Sequence, residues 1–118
     1  MIDDHTLYVT TTGSAGSASG EATTLERLNG LLVAVYLPSG AAATTDWTFS
    51  DPVANITLFT LTNYNTPGLY SPLIPGIAIA SGVAISGAGV LIPLCGPMKV
   101  AVAQGNAGTF LLQFRVQR

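Results

Sequence analysis

The chain has 118 residues with 4 Lys+Arg against 6 Asp+Glu, a formal net charge of -2. That is enough for one domain with a modest core, and it leaves no basic surplus with which to hold nucleic acid. Charged side chains make up 8% of the chain, where an ordinary soluble domain carries about 25%. A folded monomer of this size exposes roughly 6,000 Å², so charges are spread at one per roughly 600 Å². Such a surface is expected to be covered by other copies or by a partner; the alternative is a monomer kept soluble by its Thr, Ser, Asn and Gln side chains.

Taken in chain order, Met1 to His5 is acidic and polar where a secretory signal needs a basic residue followed by an apolar run, so synthesis in a reducing cytoplasm is expected. Residues 1–5 read as a terminal arm that orders on docking. Thr6 to Thr10 alternates polar and apolar, a strand pattern. The small-residue tract 13–20 is a flexible loop or a second arm. Glu21 to Leu25 suggests a short edge strand, and Asn29-Gly30 a turn. Leu31 to Leu37 is apolar at nearly every position, as in a central strand covered on both faces, and Pro38-Ser39-Gly40 ends it.

Asp46 to Ser50 sends Trp47 and Phe49 to one face, which assigns the core side. Ile56 to Leu61 continues the β bias, and Pro67-Gly68 is placed for the centre of a type II turn. Residues 71–98 contain no charged side chain, a length that raises the question of a membrane span. Pro72, Pro75 and Pro93 with the interspersed glycines argue against a helix there. Ile77, Ile79, Val83 and Ile85 alternate with small residues at period two, which predicts a strand packed on both sides and no membrane segment. Met98 to Gln104 and Thr109 to Val116 flank Gly105-Asn106-Ala107-Gly108 and predict a terminal hairpin. In its second strand Phe110, Leu112, Phe114 and Val116 form one face, and Leu111, Gln113, Arg115 and Gln117 the other.

No segment carries a helical period. About eight or nine short strands between Gly, Pro, Asn and Ser turns specify an all-β chain, a single β-sandwich domain over residues 1–118 with jelly-roll or immunoglobulin-like topology.

Residues able to carry chemistry are few. His5 is the single histidine and lies in the terminal segment, a poor anchor for a base. Cys95 is the single cysteine, so no intrachain disulfide forms, and its place between Leu94 and Gly96 reads as a buried thiol. Asp46 and Asp51 stand five apart, on opposite faces of a regular strand, which suits turn and edge roles better than a carboxylate pair. One Cys and one His do not make a zinc site, and Asp3-Asp4 is too sparse for calcium. No catalytic residue, metal or cofactor is expected. Trp47, Tyr64 and Tyr70 stack on sugar rings if they share an exposed face; otherwise Trp47 packs in the core and the tyrosines in loops.

The segments Leu28 to Leu37, Thr44 to Phe49, Gly68 to Pro72 and Gly96 to Gln104 resemble small accessory proteins of tailed-bacteriophage virions, often encoded beside the major capsid protein. The resemblance implies a β-sandwich cement or decoration subunit on the capsid lattice, a homo-oligomer, commonly a trimer, partnered with the major capsid protein and located in the virion. It carries no catalytic residues. A basic residue follows the Tyr-Ser-Pro turn in that pattern, and this chain has Leu73 there, which implies a more apolar contact. The leading expectation is thus a non-enzymatic structural virion protein that stabilises the head. The alternatives are a carbohydrate-binding β-sandwich using Trp47, Tyr64 and Tyr70, and a tail or connector component.

Overall fold

The computed structural model describes residues 1–71, 73–77 and 84–118, with side chains outside 72–90. Ten strands run through them: β1 (Ile2–Thr11), β2 (Ala18–Thr23), β3 (Leu28–Leu37), β4 (Asp46–Asp51), β5 (Ile56–Leu61), β6 (Gly68–Tyr70), β7 (Leu73–Ile77), β8 (Ala84–Gly96), β9 (Lys99–Gly105) and β10 (Gly108–Gln117). No helix occurs among the described residues. One sheet has the order β1-β10-β3-β8-β7, with β6 also on β3; the other is β2-β9-β4-β5.

The pairing is nested about the middle of the chain: β1 with β10, β2 with β9, β3 with β8, β4 with β5, all antiparallel. A long ribbon of such pairs, folded over so that β10 also meets β3 and β9 also meets β4, is a jelly roll. In an immunoglobulin-like sandwich the first two strands are neighbours in one sheet. Here β1 and β2 lie in different sheets, which decides between the two expected topologies.

Alternation supplies the core. Trp47 and Phe49 of β4 and Val100 and Val102 of β9 face Leu7, Val9, Phe110, Leu112, Phe114 and Val116 across the two sheets. The Phe49 ring stacks on Phe59 at 4.3 Å and meets Phe114 edge-on at 6.2 Å, while Trp47 meets Phe110 edge-on at 6.0 Å. Burying each Phe contributes about 2–3 kcal/mol.

Several sequence expectations are corrected. Residues 2–5 are not a free arm: they belong to β1 and pair with β10 from Ile2↔Gln117 onward. Of the tract 13–20, only residues 13–17 form a loop, because Ala18 opens β2 and is fully buried. No terminal hairpin forms. β9 and β10 sit in opposite sheets, since their apolar rows face each other across the core and β10 finds a ten-residue partner in β1. Pro67-Gly68 leads straight into β6, with Gly68 opposite Leu37, and no turn is formed there.

Asn29-Gly30 is not a turn either but lies inside β3. Gly30 has φ +132°, and a Cβ there would run into the Gln117 carbonyl oxygen, so glycine serves close backbone packing instead of chain reversal. The apolar run 31–37 also has a different origin from two-sided burial. Arg115 pairs with Ala34 and Val116 with Leu32, leaving Val33 as a bulge. Inward positions are therefore Leu28 and Leu32 before the bulge and Val35 and Leu37 after it, while Leu31 and Tyr36 are exposed.

Over the uncharged stretch, β7 pairs with β8, and β8 joins β3 only over Ile92–Gly96; β6 takes the same edge of β3 farther along. The expected alternation of Ile77, Ile79, Val83 and Ile85 falls outside the described side chains. None of the described helices is long and apolar enough to cross a membrane, there being none.

Candidate docking surface

The outer face of the larger sheet follows from the same alternation. With Leu7 and Val9 inside, Thr6 and Tyr8 of β1 point out; with Leu112 and Phe114 inside, Leu111 and Gln113 of β10 point out. The bulge at Val33 turns Tyr36 to this side. One row then crosses four strands, Thr6↔Gln113↔Tyr36↔Leu69, about 14 Å long at the usual strand spacing. Tyr8↔Leu111 adjoins it. Tyr8 is 64% exposed, Leu69 65% and Tyr36 40%. Aromatic and aliphatic side chains standing together on a flat sheet face are the composition of a protein contact more than of a solvated surface.

Charge is distributed unevenly around this face. At the end holding both chain termini, Arg118 pairs with Asp3, Arg115 with Asp4 at 3.0 Å, and Glu26 approaches His5 at 3.8 Å. The Arg115 hydrogen bond holds the Asp4 carboxyl below the usual carboxylate range. Arg27 is at the same end, its guanidinium donating to the Cys95 carbonyl at 2.6 Å. At the opposite end the loops 12–17, 38–45, 62–67 and 106–107 contain no Asp, Glu, Lys or Arg. They are tied to one another through neutral groups: Thr44 Oγ1 donates to the Gln104 carbonyl at 2.7 Å, and the Tyr64 amide to the Thr45 carbonyl at 2.9 Å. The first charge inward from that end is Asp46, whose carboxylate accepts the Asn63 amide at 3.0 Å. The protein has one charged end and one neutral end, and the row Thr6 to Leu69 opens toward the neutral one.

The residues singled out from sequence are not all brought together. Trp47 is 1% exposed, and its Nε1 donates to the Tyr64 carbonyl at 2.9 Å. It is a core residue because it shares the inward parity of Phe49, so no three-aromatic platform exists. Tyr64 and Tyr70 are half-buried, their rings 6.0 Å apart and steeply inclined, with Tyr70 also leaning on Phe59. Only that pair remains for a sugar ring. Leu73 lies on β7 opposite Leu91, its side chain outside the described residues. Asp51 holds a turn, its Oδ1 accepting the amides of Val53 and Ala54, while Asp46 ties down the segment after β5 through the Asn63 amide. His5 sits in an ordered strand, not a mobile tail, and Cys95 is exposed, not buried, since Leu94 and Gly96 take the inward positions beside it.

Sequence reasoning missed Tyr8, Tyr36 and Leu69. Tyr8 was readable from its parity with Thr6; Tyr36 was hidden by the bulge, and Leu69 is placed only by β6 pairing. Comparison with protein-family models, with curated proteins and with solved structures finds no match.

Proposed function

We propose that the chain is a non-enzymatic structural subunit of a virion, a cement or decoration protein that docks on the capsid and stabilises the head lattice. The observation that carries this reading is the neutral half of the molecule: Tyr8, Tyr36 and Leu69 exposed and Leu111 half-buried on one sheet face, continuous with loops that carry no charge. Left in water, that half has little to keep copies apart. Set against a shell protein, it buries apolar area over a rigid sheet, and repetition over a lattice multiplies many modest contacts into avidity. The segment resemblance to phage accessory proteins and the jelly-roll topology are in keeping with that role.

The test is co-sedimentation with shells assembled from a tailed-bacteriophage major capsid protein. Saturable binding and a rise in the temperature at which shells burst support the reading. A Tyr36→Ser/Leu69→Ser variant is expected to fold normally and lose that binding. A stable monomer at high concentration with no affinity for the shells overturns the proposal.

A further inference from the structure

β1 ends the larger sheet, and over most of its length its outer edge has no paired strand among the described residues. Which of its backbone groups face that edge follows from one bond. The Arg118 amide donates to the Met1 carbonyl at 2.9 Å, in register with Ile2↔Gln117. Bonded and non-bonded pairs alternate along an antiparallel ladder. Odd residues of β1 therefore bond to β10, and even residues turn their N–H and C=O outward. Thr12 agrees: it exchanges both backbone bonds with Ser19 on the outer side, each 3.0 Å. Gly20 lies so close to Thr10 that a Cβ would run into the Thr10 carbonyl oxygen, so β2 closes the edge from Thr10 onward.

Ile2, Asp4, Thr6 and Tyr8 are what remains open. Along residues 4–8 this edge forms one wall of a groove of about 350 Å³, and residues 23–26 form the other. Leu25 stands fully exposed on the rim.

We infer that a second copy of this chain pairs here, its β1 running antiparallel to the first about a two-fold axis at His5. The open set is symmetric about that residue. In this register Ile2 meets Tyr8 of the second copy and Asp4 meets Thr6, each pair exchanging both backbone bonds, and no open group is left over. Ile2 on Tyr8 is an aliphatic-aromatic cross-strand pair, and Asp4, already bound to Arg115, meets a hydroxyl and not a second carboxylate. Moving the register by two in one direction sets Asp4 against Asp4; in the other it sets Ile2 against Thr10, which β2 already closes. Such a two-fold contact is isologous and leaves the row from Gln113 to Leu69 free. It rests on the reading of the chain as an assembling subunit, but it concerns the edge of the sheet and shares only Thr6 and Tyr8 with the docking face.

Sedimentation of the full chain over a wide concentration range tests it. The expected result is a reversible dimer, weakened at least tenfold by Thr6→Pro with no fall in the melting temperature, because the Thr6 amide faces the edge and takes no part in the β10 ladder. A monomer at every concentration, or a dimer indifferent to Thr6→Pro, overturns the inference. The register is checked independently in a Cys95→Ser background. His5→Cys is expected to form a disulfide-linked dimer under mild oxidation and Thr6→Cys is not, since only residue 5 faces its own mate. The reverse pattern, or no cross-link from either, also overturns it. Loss of shell binding in Tyr36→Ser/Leu69→Ser with the dimer intact counts against the proposed function and not against this contact.

Discussion

Thr24 and Met98 hold each other one pair beyond the β2–β9 ladder: the Thr24 amide donates to the Met98 carbonyl at 2.9 Å, and the Met98 amide donates to Thr24 Oγ1 at 3.0 Å. The hydroxyl in turn donates a hydrogen bond to the Glu26 carbonyl at 2.8 Å. Met98 is 1% exposed, so its amide has no water to turn to. Thr24→Val keeps the shape and removes the acceptor, which is expected to cost about 1–3 kcal/mol. Thr24→Ser restores the oxygen and is expected to recover most of it. Urea unfolding of the two variants, compared by midpoint at equal slope, checks this.

Gly30 is the second point where one residue type is required. Its φ of +132° and the Gln117 carbonyl behind it leave no room for a side chain in a conformation that L residues avoid. Gly30→Ala is expected to lose about 1–3 kcal/mol from the backbone alone, with the clash adding to it. Thermal unfolding measures the loss. A variant as stable as the parent would mean that the C-terminal strand does not pack against β3 as described.

These two sites show how far the sequence was readable. Period-two alternation located β4, β10 and the second half of β1, set Trp47 and Phe49 on the core side and grouped Phe110 with Phe114 on one face, which the structure buries, because a half-buried strand writes its orientation locally. Gly30 beside Asn29 looks like a turn from sequence, and only the approach of the C-terminus, far along the chain, makes it a strand residue. The Val33 bulge has the same character, since apolar residues on both sides of a phase change are indistinguishable from a strand covered on both faces. The choice of β1 and β3 as partners of β10, in place of β9, depends on the whole ribbon. For the docking face, Tyr8 was legible and Tyr36 and Leu69 were not, as each reaches the surface through a bulge or a long-range pairing.

Acid stability carries a signature of the charged end. Arg115, by its hydrogen bond first and its charge second, keeps Asp4 ionised to lower pH in the folded chain than in the unfolded one. The folded state then binds fewer protons in acid, so this pair's contribution is present at neutral pH and is lost as pH falls through the depressed Asp4 value. Both side chains are open to solvent, which keeps the effect small and salt-sensitive. An NMR titration is expected to place the folded Asp4 carboxyl below its value in the unfolded chain. Asp4→Asn is expected to flatten the acid limb of the stability curve without altering stability near its lower end.

Trp47 separates a structural role from sugar stacking. It is the one tryptophan of the chain, buried, edge-on to Phe110 and bonded through Nε1 to the Tyr64 carbonyl. Its emission is therefore expected at short wavelength, poorly quenched by iodide, and unchanged by added oligosaccharides, because an indole inside the core offers no face to a ring. Trp47→Phe removes volume and the Nε1 donor together, for an expected loss of about 1–3 kcal/mol by chemical denaturation. Tyr70→Ala, by contrast, acts where aromatic surface remains half open. If a glycan array shows binding that Tyr70→Ala abolishes while the Trp47 emission stays still, recognition runs through the Tyr64–Tyr70 pair alone. A glycan that shifts the Trp47 spectrum would require the indole to leave the core and would contradict the packing described for β4.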